Sequence, residues 1–86
     1  MTKITKKCEK IWFDKILTGD KKFEIRLADW NIEKGDTLIL NEVVDGKETG
    51  RTLSKKVSIV LKTKEMPYYT QEEVGKYGYQ VIGWTD

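Results

Sequence analysis

Gly19, Lys21, Glu24 and Arg26 bring two cations and a carboxylate together where a helical pattern gives way to strand alternation. Glu24 and Arg26 are two positions apart, so a strand puts them on one face. Lys21 stands in the turn before regular alternation begins, free to fold over the same face. A carboxylate held by arginine beside a lysine suits the binding of an anionic or carbonyl group, or proton transfer. The plainer reading is an exposed ion pair, which contributes a few tenths to about 1 kcal/mol.

Other routes to chemistry are narrow. The chain has no histidine and one cysteine, which excludes a Ser-His-Asp or Cys-His centre, a thiolate zinc cluster and an internal disulfide. No metal or cofactor is expected. Cys8 reads as a small buried hydrophobe. Arg26 and Arg51 are the only arginines among 16 basic residues, so each rigid five-donor fork should have a specific partner. Arg51, after Thr49-Gly50, either brings a second cation to the rim of the site or pairs with Glu42 as scaffold.

The chain of 86 residues, 38% hydrophobic and 35% charged, suits one soluble domain spanning 1–86. No stretch approaches the roughly 20 apolar residues of a membrane span, so a cytoplasmic, non-membrane protein is expected, with a monomer favoured. The net charge of +2 is small, but basic residues concentrate in 1–30 and 51–64. If these blocks meet, they form a positive patch suited to a phosphate backbone; otherwise they are solvated lysine surface.

Periodicity supplies the scaffold. Lys3 to Cys8 alternates as a first strand, with Ile4 and Cys8 opposite Lys3 and Lys7. Trp12, Phe13, Ile16 and Leu17 recur at helical spacing over about two turns, with Trp12 read as core, and the helix stops at Thr18-Gly19. Lys22 to Arg26 is a half-buried strand, with Phe23 and Ile25 on one side and Lys22, Glu24 and Arg26 on the other. Lys34-Gly35-Asp36 is a turn, and Thr37 to Val44 is the clearest strand, blurred near its end by Glu42. Asp45-Gly46 signals a tight hairpin. The chain returns through Thr49-Gly50-Arg51 to Leu53, and Val57 to Leu61 is a near-continuous apolar strand. Pro67 interrupts a loop, Thr70 and Glu73 have capping-box spacing for a short helix, and Tyr79 to Trp84 is the last strand. The expected fold is mixed α/β of the α+β kind, with a mostly antiparallel sheet of about five strands that curls into a small barrel.

Residues Gly19, Lys21, Glu24 and Arg26 match G-x-K-x-x-E-x-R, the signature of the ASCH domain, a branch of the PUA-like superfamily. The chain resembles a small ASCH-related group from about Lys7 onward. Phe13-Asp14-x-Ile16-Leu17-Thr18-Gly19 looks like the helix leading into the motif. Gly35-Asp36-x-Leu38-x-Leu40-x-Glu42, Thr49-Gly50-Arg51 and Tyr79-Gln80-Val81-Ile82 follow in order. This resemblance implies a PUA-like pseudo-barrel, with a cleft between the sheet and the motif loop, and a link to RNA or modified-base recognition. In a deacetylating branch of the family the motif lysine is catalytic, which maps to Lys21. That branch carries a threonine where this chain has Glu24. An Asn-Asp-Arg often seen after the motif reads Ala28-Asp29-Trp30 here, and an early family histidine is replaced by Ile4.

The leading expectation is an RNA- or nucleotide-binding module using Lys21, Glu24, Arg26, Asp29 and Arg51 with a stacking aromatic. Trp30, in the turn after the motif, either stacks on a base or lids one end of the core. Tyr69, beside Tyr68 and Pro67, is the next stacking candidate. The alternatives are a small amidohydrolase acting on an acylated cytidine nucleoside, with Lys21 and Glu24 catalytic, and a protein-interaction adaptor.

Overall fold

Alternation at the start of the chain forms β1 (Lys3–Glu9), which turns Ile4, Lys6 and Cys8 inward and Thr5, Lys7 and Glu9 outward. The chain enters α1 (Lys10–Leu17) at once. Eight residues give only one narrow buried stripe, Phe13 and Ile16, three positions apart. Gly19 ends the helix in the left-handed region, at φ 86°. The computed structural model describes residues 1–65, 72 and 75–85. Tyr68, Tyr69, Thr70 and Glu73, and with them the short second helix, lie outside the described residues.

Two three-stranded sheets carry the rest. In the first, β3 (Thr37–Val44) lies between β1 and β4 (Lys47–Lys56). The β3–β4 hairpin closes on Asp45 and Gly46, with φ 52° and 78°, as a two-residue turn matched to strand twist requires. Glu42 blurs the alternation because the register shifts between Asn41 and Val43. Glu42 and Val43 are consequently both buried. In the second sheet β6 (Tyr79–Gly83) is central, flanked by β2 (Phe23–Leu27) and β5 (Ile59–Lys62), all antiparallel.

The mixed α/β fold with mostly antiparallel pairing is as expected, but its strands are divided differently from the expected sheet of about five. The strands number six among the described residues, they form two sheets, and β1 pairs with β3 in parallel. The β1 strand reaches β3 across α1 and β2, a crossover that a parallel pair requires. No closed barrel forms among the described residues; β1 and β2 are each an open sheet edge.

Between the sheets and α1 lies one core that includes Phe13, Ile16, Leu38, Leu40, Ile82 and Trp84. Asp36 pins the start of β3, because its carboxylate accepts from Thr2 N at 3.0 Å and Glu33 N at 2.9 Å. Those two donors hold its carboxyl below the usual carboxylate range. Val57 is buried and donates its N–H to Asp36 O. The expected strand from Val57 therefore begins only at Ile59. Among the described residues no helix is long and apolar enough to cross a membrane.

Candidate functional site

Alternation leaves open which side of β2 is buried, and the buried side is the polar one. Glu24 is 4% exposed and Arg26 half-buried, whereas Phe23, Ile25 and Leu27 face outward. The inward turn of the polar face follows from what meets it. Lys21 Nζ pairs with Glu24 Oε1, and Arg26 Nε donates to Glu24 Oε2 at 2.8 Å. Arg26 Nη2 then donates to Lys7 O at 2.8 Å. This last bond crosses from the edge of one sheet to the edge of the other.

Lys21 is delivered by the end of α1. Gly19 N donates to Ile16 O at 3.1 Å and Lys21 N to Lys15 O at 3.0 Å, which folds the chain back over the last helical turn. The Lys21 ammonium sits 5.7 Å from the Trp12 ring centroid and 5.2 Å from that of Phe23. Both aromatic faces add cation–π attraction to the ion pair. The Lys21–Glu24–Arg26 triad thus occupies the seam between β1 and β2.

Along that seam runs a cleft of about 640 Å³, within the range of small-molecule sites. Its walls are Lys7, Cys8 and Glu9 of β1, Trp12 and Lys15 of α1, Asp20 and Lys21 of the connection, and Phe23 to Arg26 of β2. Cations and carboxylates nearly balance in this wall, and the first basic block alone supplies the cations. Cys8 lines the floor. Burial, reinforced by the Glu24 carboxylate, pushes its thiol up to about 11, so it is not a thiolate nucleophile at neutral pH. Among the described residues no three His, Cys, Asp or Glu side chains are grouped to hold a metal ion.

Trp12 corrects the expectation of a core residue. It is 47% exposed and stands in the cleft wall beside Lys21. A two-turn helix with a Phe13/Ile16 stripe has no room to bury a third large side chain. That limit was the available signal, and the spacing of Trp12 to Ile16 masked it.

Three other expected site residues are not brought to the cleft. Trp30 packs half-buried against the core, with Lys6 Nζ 4.2 Å from its ring centroid and its carbonyl accepting from Gln80 Nε2 at 3.1 Å. That is the lid of the core. Asp29 is exposed outside the cleft lining, and Tyr69 lies outside the described residues. Arg51 takes the scaffold alternative. Its Nε donates to Glu42 Oε1 at 2.9 Å and its Nη2 to Asp14 Oδ1 at 2.7 Å, with the guanidinium 4.9 Å from the Phe13 ring. It clamps α1 to the first sheet.

The clamp carries a pH dependence. Arg51 and then Thr49 hold the Glu42 carboxyl down at about 2, against an ordinary 4.5. Between those values the unfolded chain binds the proton that folded Glu42 refuses, so stability falls as pH falls through that window. Thermal melts from pH 7 to pH 2 should show this acid limb, and Glu42→Gln should flatten it. Equal acid limbs in both proteins would remove Glu42 as its source.

Comparison with known proteins covers nearly the whole of this architecture. A family model with the description "Domain of unknown function (DUF3850)" matches residues 3–83, from β1 to the end of β6. The chain is also similar to the "Uncharacterized 12.9 kDa protein in GpA 3'region" of Escherichia phage P2. The two are 47% identical over 49 residues, 57% of this chain and 45% of the phage protein. The match thus spans less than half of that relative's length.

Proposed function

We propose that this chain, which belongs to the DUF3850 family, is an RNA- or nucleotide-binding module whose cleft takes a base stacked on Trp12. The observation that carries the reading is the exposed Trp12 indole in the same cleft wall as the Lys21–Glu24–Arg26 triad. An aromatic face accepts any base, and the charged groups beside it set orientation. Each Glu24 oxygen holds one cation and keeps a further lone pair. The carboxylate can therefore accept from an exocyclic amino group while Lys21 donates to a carbonyl or phosphate oxygen.

The meeting of all three charged signature residues in one cleft supports the ASCH reading, and with it a PUA-like pseudo-barrel open along the β1/β2 seam. Glu24 engages Lys21 as an ion-pair partner, which favours binding over attack by a neutral amine on an acyl carbon. The near-balance of charge in the walls points to recognition of the base more than of the phosphate backbone.

Titration calorimetry with short single-stranded RNAs, nucleosides and nucleotides tests this. Wild-type protein should bind at least one of them. Lys21→Ala, still folded, should lose at least about tenfold in affinity, or about 1.4 kcal/mol. The salt dependence should be shallow, with a slope of about −1 to −2, because few phosphates are neutralised. No binding to any member of the panel, or unchanged affinity in Lys21→Ala, would end the proposal.

A further inference from the structure

The outer face of the second sheet is apolar on all three strands. Pairing places Phe23, Gly83 and Ile59 in one row, Ile25, Val81 and Leu61 in the next, and Leu27 beside Tyr79 in a third. Every position on this face is uncharged. The six large side chains, leaving Val81 aside, are each 42–56% exposed. Gly83 keeps the first row flat, because a Cβ there would come within 2.8 Å of Ile59 Cγ2.

An antiparallel sheet with one wet face alternates apolar and polar residues. Here β5 is apolar on both sides through Ile59, Val60 and Leu61, with Val60 packed on the core. Such a strand is suited to being covered twice. Half-exposure of six large apolar side chains amounts to an area on the order of 500 Å², at the upper end of what a monomer shows in one patch. Two such faces together remove on the order of 1,000 Å² from water before any rim is counted, which reaches the threshold for a specific interface.

We propose that this face is the interface of a homodimer, in which the second sheets of two copies pack face to face. A second copy is the occupant that fits best. A two-fold contact sets a surface against itself, so a charged residue near the axis would meet its own like charge. A face without charge has no such conflict, and face-to-face sheets bury side chains in a layer about 10 Å thick. Phe23 and Ile25 also line the cleft, so this face adjoins the cleft along β2.

Sedimentation equilibrium from about 10 µM to about 500 µM reads it directly, since a dimer gains with protomer concentration. The wild type should approach twice its 10.0 kDa monomer mass. Leu61→Lys, which sets an ammonium against its symmetry copy, should weaken association at least about tenfold and, since Leu61 does not line the cleft, leave base titrations of dilute, monomeric protein unchanged. Tyr79→Ser provides a second disruption from another strand if Leu61→Lys fails to fold. A wild type that stays at monomer mass throughout overturns the proposal and leaves the face to another protein partner. A dimer that survives both substitutions overturns it equally.

Discussion

Replacing Glu24 with alanine should lower the melting temperature by roughly 10–20 °C and leave the cleft without affinity for its ligand. Glu24 is 4% exposed and both its oxygens are used, one by Lys21 and one by Arg26. Alanine leaves two cations facing each other across a desolvated gap. Breaking a buried pair on one side typically costs about 3–5 kcal/mol. Lys21 and Arg26 keep side-chain exposures of 15% and 26%, so water screens part of the loss and about 2–3 kcal/mol is the better figure. In a domain of this size each kcal/mol moves the midpoint by about 4–8 °C. Glu24→Gln, which keeps the shape and one acceptor, should fall between wild type and alanine. Calorimetric melts measure both. A drop below about 4 °C for Glu24→Ala would reduce the triad to an ordinary surface pair. Stability and binding are coupled here by geometry, because the residue that holds the seam also orients the two donors offered to the ligand.

The parts of this fold legible from sequence are those decided locally. The Asp45-Gly46 turn, the helix stop at Gly19 and the β3 pattern depend on neighbours a few residues away, and each falls where the spacing predicts it. The facing of β2 was not legible in this way. Alternation separates Phe23 and Ile25 from Glu24 and Arg26, but burial is decided by partners distant in sequence, such as Lys7 O, which receives Arg26. A hydrophobic rule would bury Phe23 and Ile25, and the protein buries the ion triad instead. The β1–β3 pairing was hidden for the same reason, since two other elements separate the strands along the chain.

Candidate-site residues divided along the same line. Lys21, Glu24 and Arg26 share one loop and strand, so their convergence followed from spacing. Arg51 depended on whether Glu42 or the cleft would claim it, and the register shift in β3 brings Glu42 within its reach. Trp12 and Trp30 were each placed by the single face their elements could bury. The helix had already filled its stripe, whereas the turn after β2 still had core to cover.

That exchange of roles between the two tryptophans yields the sharpest prediction for binding. Trp12→Ala should weaken the best ligand by about 5–150-fold, corresponding to about 1–3 kcal/mol of base–aromatic stacking. Its indole is largely outside the core, so stability should change little, within about 1 kcal/mol. Trp30→Ala should do the reverse. Its ring packs against the core and carries the Lys6 ammonium at 4.2 Å, so truncation leaves a gap and costs about 3 kcal/mol of stability. Affinity measured well below its lowered melting point should stay near wild type, because Trp30 is not among the residues that line the cleft. Trp12→Phe separates stacking from bulk: a smaller aromatic face should restore part of the affinity, and leucine should not. Paired titrations and melts on the four variants therefore distinguish a base-stacking cleft from a merely apolar one. Equal losses of affinity for Trp12→Phe and Trp12→Leu would show that the cleft wall needs volume there and no aromatic ring, and the nucleobase reading would fall with that result.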